Sequence, residues 1–406
     1  MRRILSALAF AVAAAISLRA QSADCNAPLP SQQVSVSLPG RPFKLAVTPD
    51  GCRIFASLLG ANQGQAGGGL AVLQRRGGHI EVVRGVSENT GRGGGAGLGG
   101  LALTHDGKIL IATTGHGVVL MDVARLVNGG KEDPVISTVE EGPDAASIFV
   151  NVSADDRLVF VSDEGAGTIT VIDLAKARSP KTAAQAILGK IPTGRAPIAL
   201  TFSPDGRWLY TTSEHAAPGW GWPAICEPEV ARPGATVKVP QGVVSVVDVR
   251  RAGSDPAHAV VARVPAGCVA VRLALSPKGD RAYVTARKSN AVLVLDTAAL
   301  TADPEHALLG TIPVGTAPVP LVVLDAGKRV IAGNSNRFGN DAGAGSTLTV
   351  LDTAKIGKGA DAVIGSIVCG GFPRDLILSP DGNTVFVANY LTSTLQALDS
   401  RHLPLR

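Results

Sequence analysis

Apolar residues in this chain fall into short blocks, each closed by a turn signal, and the blocks recur. LAVTPDG (45–51), LALTHDG (101–107), VNVSADD (150–156), LTFSPDG (200–206), LALSPKG (273–279), VVLDAG (322–327) and LILSPDG (376–382) are seven versions of one strand running into a tight turn. In the fullest versions Pro presets φ at the second turn position, Asp bonds back to the local backbone and Gly accepts a positive φ, which predicts a hairpin turn. A second apolar strand follows each turn (RIFASL, KILIAT, RLVFVS, RWLYTT, RAYVTA, KRVIAG, NTVFVA). A third then ends in Asp at 122, 173, 248, 296, 352 and 399, with Gln74 in its place in the first copy. These aspartates read as turn formers rather than metal ligands. Segments such as ILGKIPTG (187–194) and ALLGTIPVG (307–315) supply a fourth strand.

Four antiparallel strands repeated seven times at roughly fifty residues is the arithmetic of an all-β, seven-bladed β-propeller. The last copy lacks a fourth strand, because only SRHLPLR follows Asp399, whereas QQVSVSL (32–38) precedes the first copy. That N-terminal strand is expected to complete the last blade and close the ring. Within the repeat, SPDG followed by a YVTN-like strand and V-x-V-x-D resembles the YVTN family of extracytoplasmic propellers, which includes YncE-like proteins. SPKGDRAYVTARKSNAVLVLD (276–296) and SPDGNTVFVAN, ending at Asn389, carry the likeness. The resemblance covers about 375 residues and implies the fold. For function it implies only a range, from surface-layer modules and binding proteins to sugar lactonases in related seven-bladed groups.

The first twenty residues, MRRILSALAFAVAAAISLRA, have the basic start, apolar stretch and small terminal residue of a secretory signal peptide. The organisation expected is a signal peptide at 1–20, an extension at 21–31 and a propeller at 32–406, outside the cytoplasm and without a membrane span. Setting aside Arg2, Arg3 and Arg19 takes the formal charge from +5 to +2. This gives nucleic acid little to bind. Aromatics are 4% of the chain, so the core must be Val, Leu, Ile and Ala. In an oxidising compartment the five cysteines should pair where topology allows. With each inner strand running from the top face down into the repeated turn, Cys25 and Cys52 both belong to the bottom face and Cys226 and Cys268 to the top, leaving Cys369 as the odd thiol.

Departures from the repeat gather on one face. From turn to terminal Asp the chain takes 17 residues in blades three, five and seven, but 25 in blade six and 42 in blade four. The blade-four insertion, 213–241, holds His215, Trp220, Trp222, Cys226, Glu227, Glu229 and Arg232. Blade six adds 334–346, with Asn336 and Arg337, and 87–100 after blade one is Gly-rich. Long loops on a rigid scaffold are more often functional than idle. Aligned inner strands place Lys44, Arg272 and Asp375 where other blades have Gly100, Phe149, Ala199 and Pro320. Charge on an innermost strand is unusual, and a structural salt bridge is the first expectation for it. His116 also belongs to a top-face loop. No nucleophile elbow, HExxH, P-loop, CxxC or EF-hand loop occurs, so no catalytic set is assigned and no metal or cofactor is expected.

The reading is therefore a monomeric binding protein that takes a protein partner, a glycan or a small ligand on its top face. Lys44, His116, His215, Trp220, Trp222, Glu227, Glu229, Arg272, Asn336, Arg337 and Asp375 are its candidate contacts. A lactonase-like hydrolase acting on a sugar-derived anion is the alternative.

Overall fold

A computed structural model describes residues 25–59, 68–87, 97–229, 238–337 and 346–403. It contains seven four-stranded antiparallel sheets arranged as a propeller. The inner strands of blades one to seven are Arg41–Val47, Leu101–Leu103, Ser147–Val152, Arg195–Phe202, Ala270–Leu275, Pro318–Leu324 and Pro373–Leu378. Gln33–Ser37 pairs antiparallel with Thr394–Asp399, from Gln33 opposite Leu398 to Ser37 opposite Thr394, so the N-terminal strand closes blade seven. An extra hairpin, Ala224–Cys226 with Val239–Pro240, belongs to the blade-four insertion. No helix among the described residues is long and apolar enough to cross a membrane.

Each feature of the repeat has a bond to make. In the turns, the side chain of Ser or Thr meets the Asp two residues on, as Thr48 with Asp50 and Ser203 with Asp205, both at 2.5 Å. Gly51, Gly107, Gly206, Gly279 and Gly382 take φ between 67° and 75°, conformations that L side chains rarely adopt. The third-strand aspartates accept the backbone N–H of the next turn: Asp122 from Arg125, Asp173 from Lys176 and Asp248 from Arg251. That capping accounts for their recurrence.

The hydroxyl at the Thr position of the YVTN-like strand ties neighbouring blades together. Ser57 donates to Gly99 O at 2.5 Å, Thr113 to Ile148 O, Ser162 to Ile198 O, Thr212 to Val271 O and Thr285 to Val319 O. Blades six and seven have Gly333 and Ala388 at this position, so the stitch stops where the charged inner-strand residues Arg374 and Asp375 begin.

Apolar sheet faces fill the spaces between blades, as where Phe160, Val171, Leu200 and Leu209 are buried together. Disulfides join Cys25 to Cys52 and Cys226 to Cys268, with Cα separations of 4.9 and 5.6 Å. Cys369 is free, and burial pushes its thiol up to about 12, out of the reactive range.

Candidate functional site

The channel divides into two halves. At mid-depth Lys44 Nζ meets both oxygens of Asp375, at 3.0 and 2.9 Å, and Asp375 also accepts the Leu45 N–H at 3.0 Å. The salt bridge expected from the inner-strand charges is therefore present, and it links blades seven and one where no hydroxyl stitch exists. Below it lies a cavity of about 310 Å³ whose wall runs from Asn151, Thr201 and Leu321 up to Lys44, Asp375, Phe149 and Arg272.

The upper half is built from aromatic rings and guanidinium groups. Three of the nine Phe gather there. The rings of Phe43 and Phe149 stand 5.4 Å apart, and Phe372 packs edge-on to Tyr390 at 5.6 Å. Arg272 lies over Phe149 with Cζ 3.8 Å from the centroid. Arg374 lies over Phe43 at 4.4 Å and near Phe372 at 5.4 Å, Arg337 is 5.6 Å from Phe372, and Arg41 covers Tyr390 at 5.5 Å. Contacts of this kind let a ring face partly replace the water lost by a cation.

Three charged residues complete the wall. Glu164, Glu214 and Arg287 stand at one register, each just past the end of the YVTN-like core of its second strand, in blades three, four and five. The Arg287 side chain is 3% exposed. It donates to Glu214 at 2.6 Å and forks onto both oxygens of Glu229, with Nη2–Oε2 at 2.6 Å. Burial opposes its charge, but the two glutamates outweigh that and hold Arg287 above the ordinary guanidinium value. Burial, then the nearby Glu214, raises the Glu164 carboxyl, against the pull of Arg374, Arg287 and Arg337.

Arg272 and Arg374 are half-buried, each set into the channel wall. Burial pushes Arg272 down to about 10; burial and then the neighbouring Arg272, Arg337 and Arg287 push Arg374 down to about 9. Both therefore stay charged at neutral pH, against the cost of desolvation.

The residues picked from sequence do not all meet. Arg272 and Arg337 belong to the vestibule, Glu229 enters it through Arg287, and Lys44 with Asp375 forms its lower limit. The two tryptophans lie elsewhere: Trp220 and Trp222 touch each other at 5.8 Å, and Arg263 on the outer strand of blade four stacks 4.6 Å over Trp220. This places the pair at the blade's rim. Glu227, 66% exposed, pairs with Lys238. His215 Nδ1 approaches Pro240 O at 3.1 Å, inside the insertion. The His116 carbonyl accepts from Glu141 and Gly142 at the junction with blade three, and Asn336 sits at φ 45° with its N–H on Thr316 O. Arg232 and most of the blade-six insertion lie outside the described residues.

Phe43, Phe149, Phe372, Glu164, Glu214, Arg287 and Arg374 emerge only in three dimensions as one group. A partial signal existed. Arg374 occupies the inner-strand register held by Ile198, Val271 and Val319, and Glu164, Glu214 and Arg287 share a single repeat position.

A second buried cluster joins blades two and three. The Glu141 and Asp163 side chains are fully buried, with Lys190 Nζ 3.8 and 3.7 Å away. Asp163 is held by Ser147, Thr168 and Thr170. Burial, and after it the Asp163 charge, raises Glu141 to about 8. Among the described residues no three His, Cys, Asp or Glu side chains come together as a metal site.

Comparison with known proteins places the architecture. No family model matches the chain, and no curated protein sequence matches it. Among solved structures it is similar to a chain of Kuenenia stuttgartiensis hydrazine synthase, with a TM-score of 0.64 and 17% identity over 89% of this chain and 96% of that one. It is also similar to a chain in a crystal structure of the mitotic checkpoint complex, with a TM-score of 0.63 and 14% identity over 92% of each. At these identities the likeness concerns the fold alone. The protein is a seven-bladed β-propeller, a class compatible with binding and scaffolding.

Proposed function

We propose that the protein is a binding propeller of the YVTN type, acting outside the cytoplasm, whose ligand enters the vestibule at the top of the channel. One observation carries the reading: blades three, four, five, six and seven each send a charged side chain (Glu164, Glu214, Arg287, Arg337, Arg374) toward the same end of the channel. Partly buried charge is costly to keep unless it has work to do. The ligand class is small molecules or the protruding group of a glycan or protein. The signal-like first twenty residues and the two disulfides support an oxidising compartment.

The hydrolase alternative gains one specific feature, a half-buried carboxyl with a raised pKa among guanidinium groups, Glu164. In that reading Glu164 would be the base and Arg374 or Arg337 would hold the anion. A melting screen against sugars, sugar acids, lactones and small carboxylates tests both. The binding reading requires a stabilising compound whose effect disappears in Arg337→Ala or Glu214→Gln and survives Asn151→Ala in the lower channel. The opposite pattern sinks it. Turnover abolished by Glu164→Gln, with binding kept, would favour the hydrolase.

A further inference from the structure

Resting on the vestibule as the ligand site, we infer that its deepest part is a carboxylate site formed by Arg272 and Arg374, which takes a small organic monoanion. Some buried or half-buried cations have acids to match, Lys44 with Asp375, Arg287 with Glu214 and Glu229, Arg329 with Asp325, whereas the buried Arg75, without an ion pair among the described residues, donates to Ala27 O and Thr384 Oγ1. Arg272 and Arg374 form no ion pair among the described residues, and Nη2 of Arg272 and Nε of Arg374 are buried without a hydrogen-bond partner. A buried N–H donor left unmade is a cost that a bound acceptor removes.

The two guanidinium groups enter the channel from blades five and seven. Blade six, between them, presents Val319 and Pro320 at the corresponding registers, so the intervening wall offers no charge to compensate them. Each group is backed by a ring face, Arg272 by Phe149 and Arg374 by Phe43. A guanidinium laid against a ring keeps its N–H edge free, and that edge matches the two oxygens of a planar carboxylate. One carboxylate, with two oxygens, can accept an N–H from both Arg272 and Arg374, hence a monoanion. The half-buried ring of Tyr390, packed edge-on to Phe372, offers apolar surface for the remainder of the molecule.

The test compares the melting midpoint of the chain in sodium acetate, sodium butyrate, sodium phosphate and sodium chloride at matched ionic strength. Acetate and butyrate are expected to raise the midpoint by about 2 °C or more over chloride at saturating concentration. Calorimetric affinity should drop roughly tenfold or more in Arg272→Met and in Arg374→Met. Without anion, both variants should melt no lower than the parent, since each removes a desolvated charge that forms no ion pair. Arg374→Lys, which keeps charge but not the fork, should lose most of the response, and it serves as the test where a Met variant does not fold. Three results overturn the inference: no difference between carboxylates and chloride, tenfold tighter binding of phosphate, or Met variants that melt lower yet respond to acetate as the parent does. If a neutral compound binds the vestibule and ignores both Met variants, the vestibule remains the ligand site and the carboxylate site is excluded.

Discussion

His105 of blade two and Asp156 of blade three meet at 2.8 Å where their bottom turns touch, and the Asp156 carboxylate also accepts the His105 backbone N–H. At three other joints the same two positions hold Pro and Gly: Pro49 with Gly107, Pro204 with Gly279 and Pro277 with Gly327. A Cβ on any of those glycines would come within 2.7–2.9 Å of the proline ring. His105 and Asp156 thus replace a steric fit with a hydrogen-bonded one. His105→Pro alone should clash with the Asp156 Cβ and remove an N–H donor, and Asp156→Gly alone should strip His105 of its partner. The double variant should recover stability, with a coupling of about 1 kcal/mol or more in a urea-unfolding cycle. Additive losses would contradict the account.

Glu141 makes stability depend on pH. Its folded carboxyl titrates near 8, above the ordinary 4.5, so the fold holds a proton there that the unfolded chain releases. The contribution is present below about pH 4.5 and is lost as pH rises toward 8. Glu141→Gln should therefore change little at pH 4 and stabilise by roughly 2–4 kcal/mol at pH 8. Equal effects at both pH values would assign the burial cost elsewhere.

Arg287 neutralises two carboxylates that would otherwise face each other. Arg287→Met is expected to cost about 3–5 kcal/mol. Adding Glu214→Gln and Glu229→Gln should restore most of it, because the triple variant leaves no unpaired charge. If the single variant is neutral by denaturant unfolding, the clamp is not what holds the insertion to blade five.

Cys25 ties the closing strand to the first blade's turn across a sequence separation of 27. Replacing both Cys25 and Cys52 by Ser should lower stability by about 3 kcal/mol through loop-closure entropy. Removing residues 25–37 should cost more and promote aggregation, since it bares the edge of Thr394–Asp399. Sedimentation and melting of the two variants measure the difference.

The fold was legible because each blade restates the same short-range chemistry: a turn that needs Pro, Asp and Gly, a strand-ending Asp that caps, and a missing fourth strand that only residues 32–38 could supply. The disulfides followed from which face each Cys occupied. The vestibule was only half legible. Lys44, Arg272 and Asp375 stood out as charges on an inner strand, and Arg374, one register away, escaped notice beside them. The tryptophans drew attention by rarity, yet Trp220 folds back over Arg263 at the rim. A long insertion's path is set by contacts remote in sequence, such as Glu229 on Arg287, which no local pattern encodes.

Hydrogen–deuterium exchange on the chain saturated with the strongest compound from the melting screen tests the central claim most directly. The vestibule account predicts added protection in 214–216, 287–290, 334–337 and 372–375, with none in the bottom turns 48–52 and 153–156. Protection confined to those bottom turns, or to the Trp220–Trp222 rim, would contradict it.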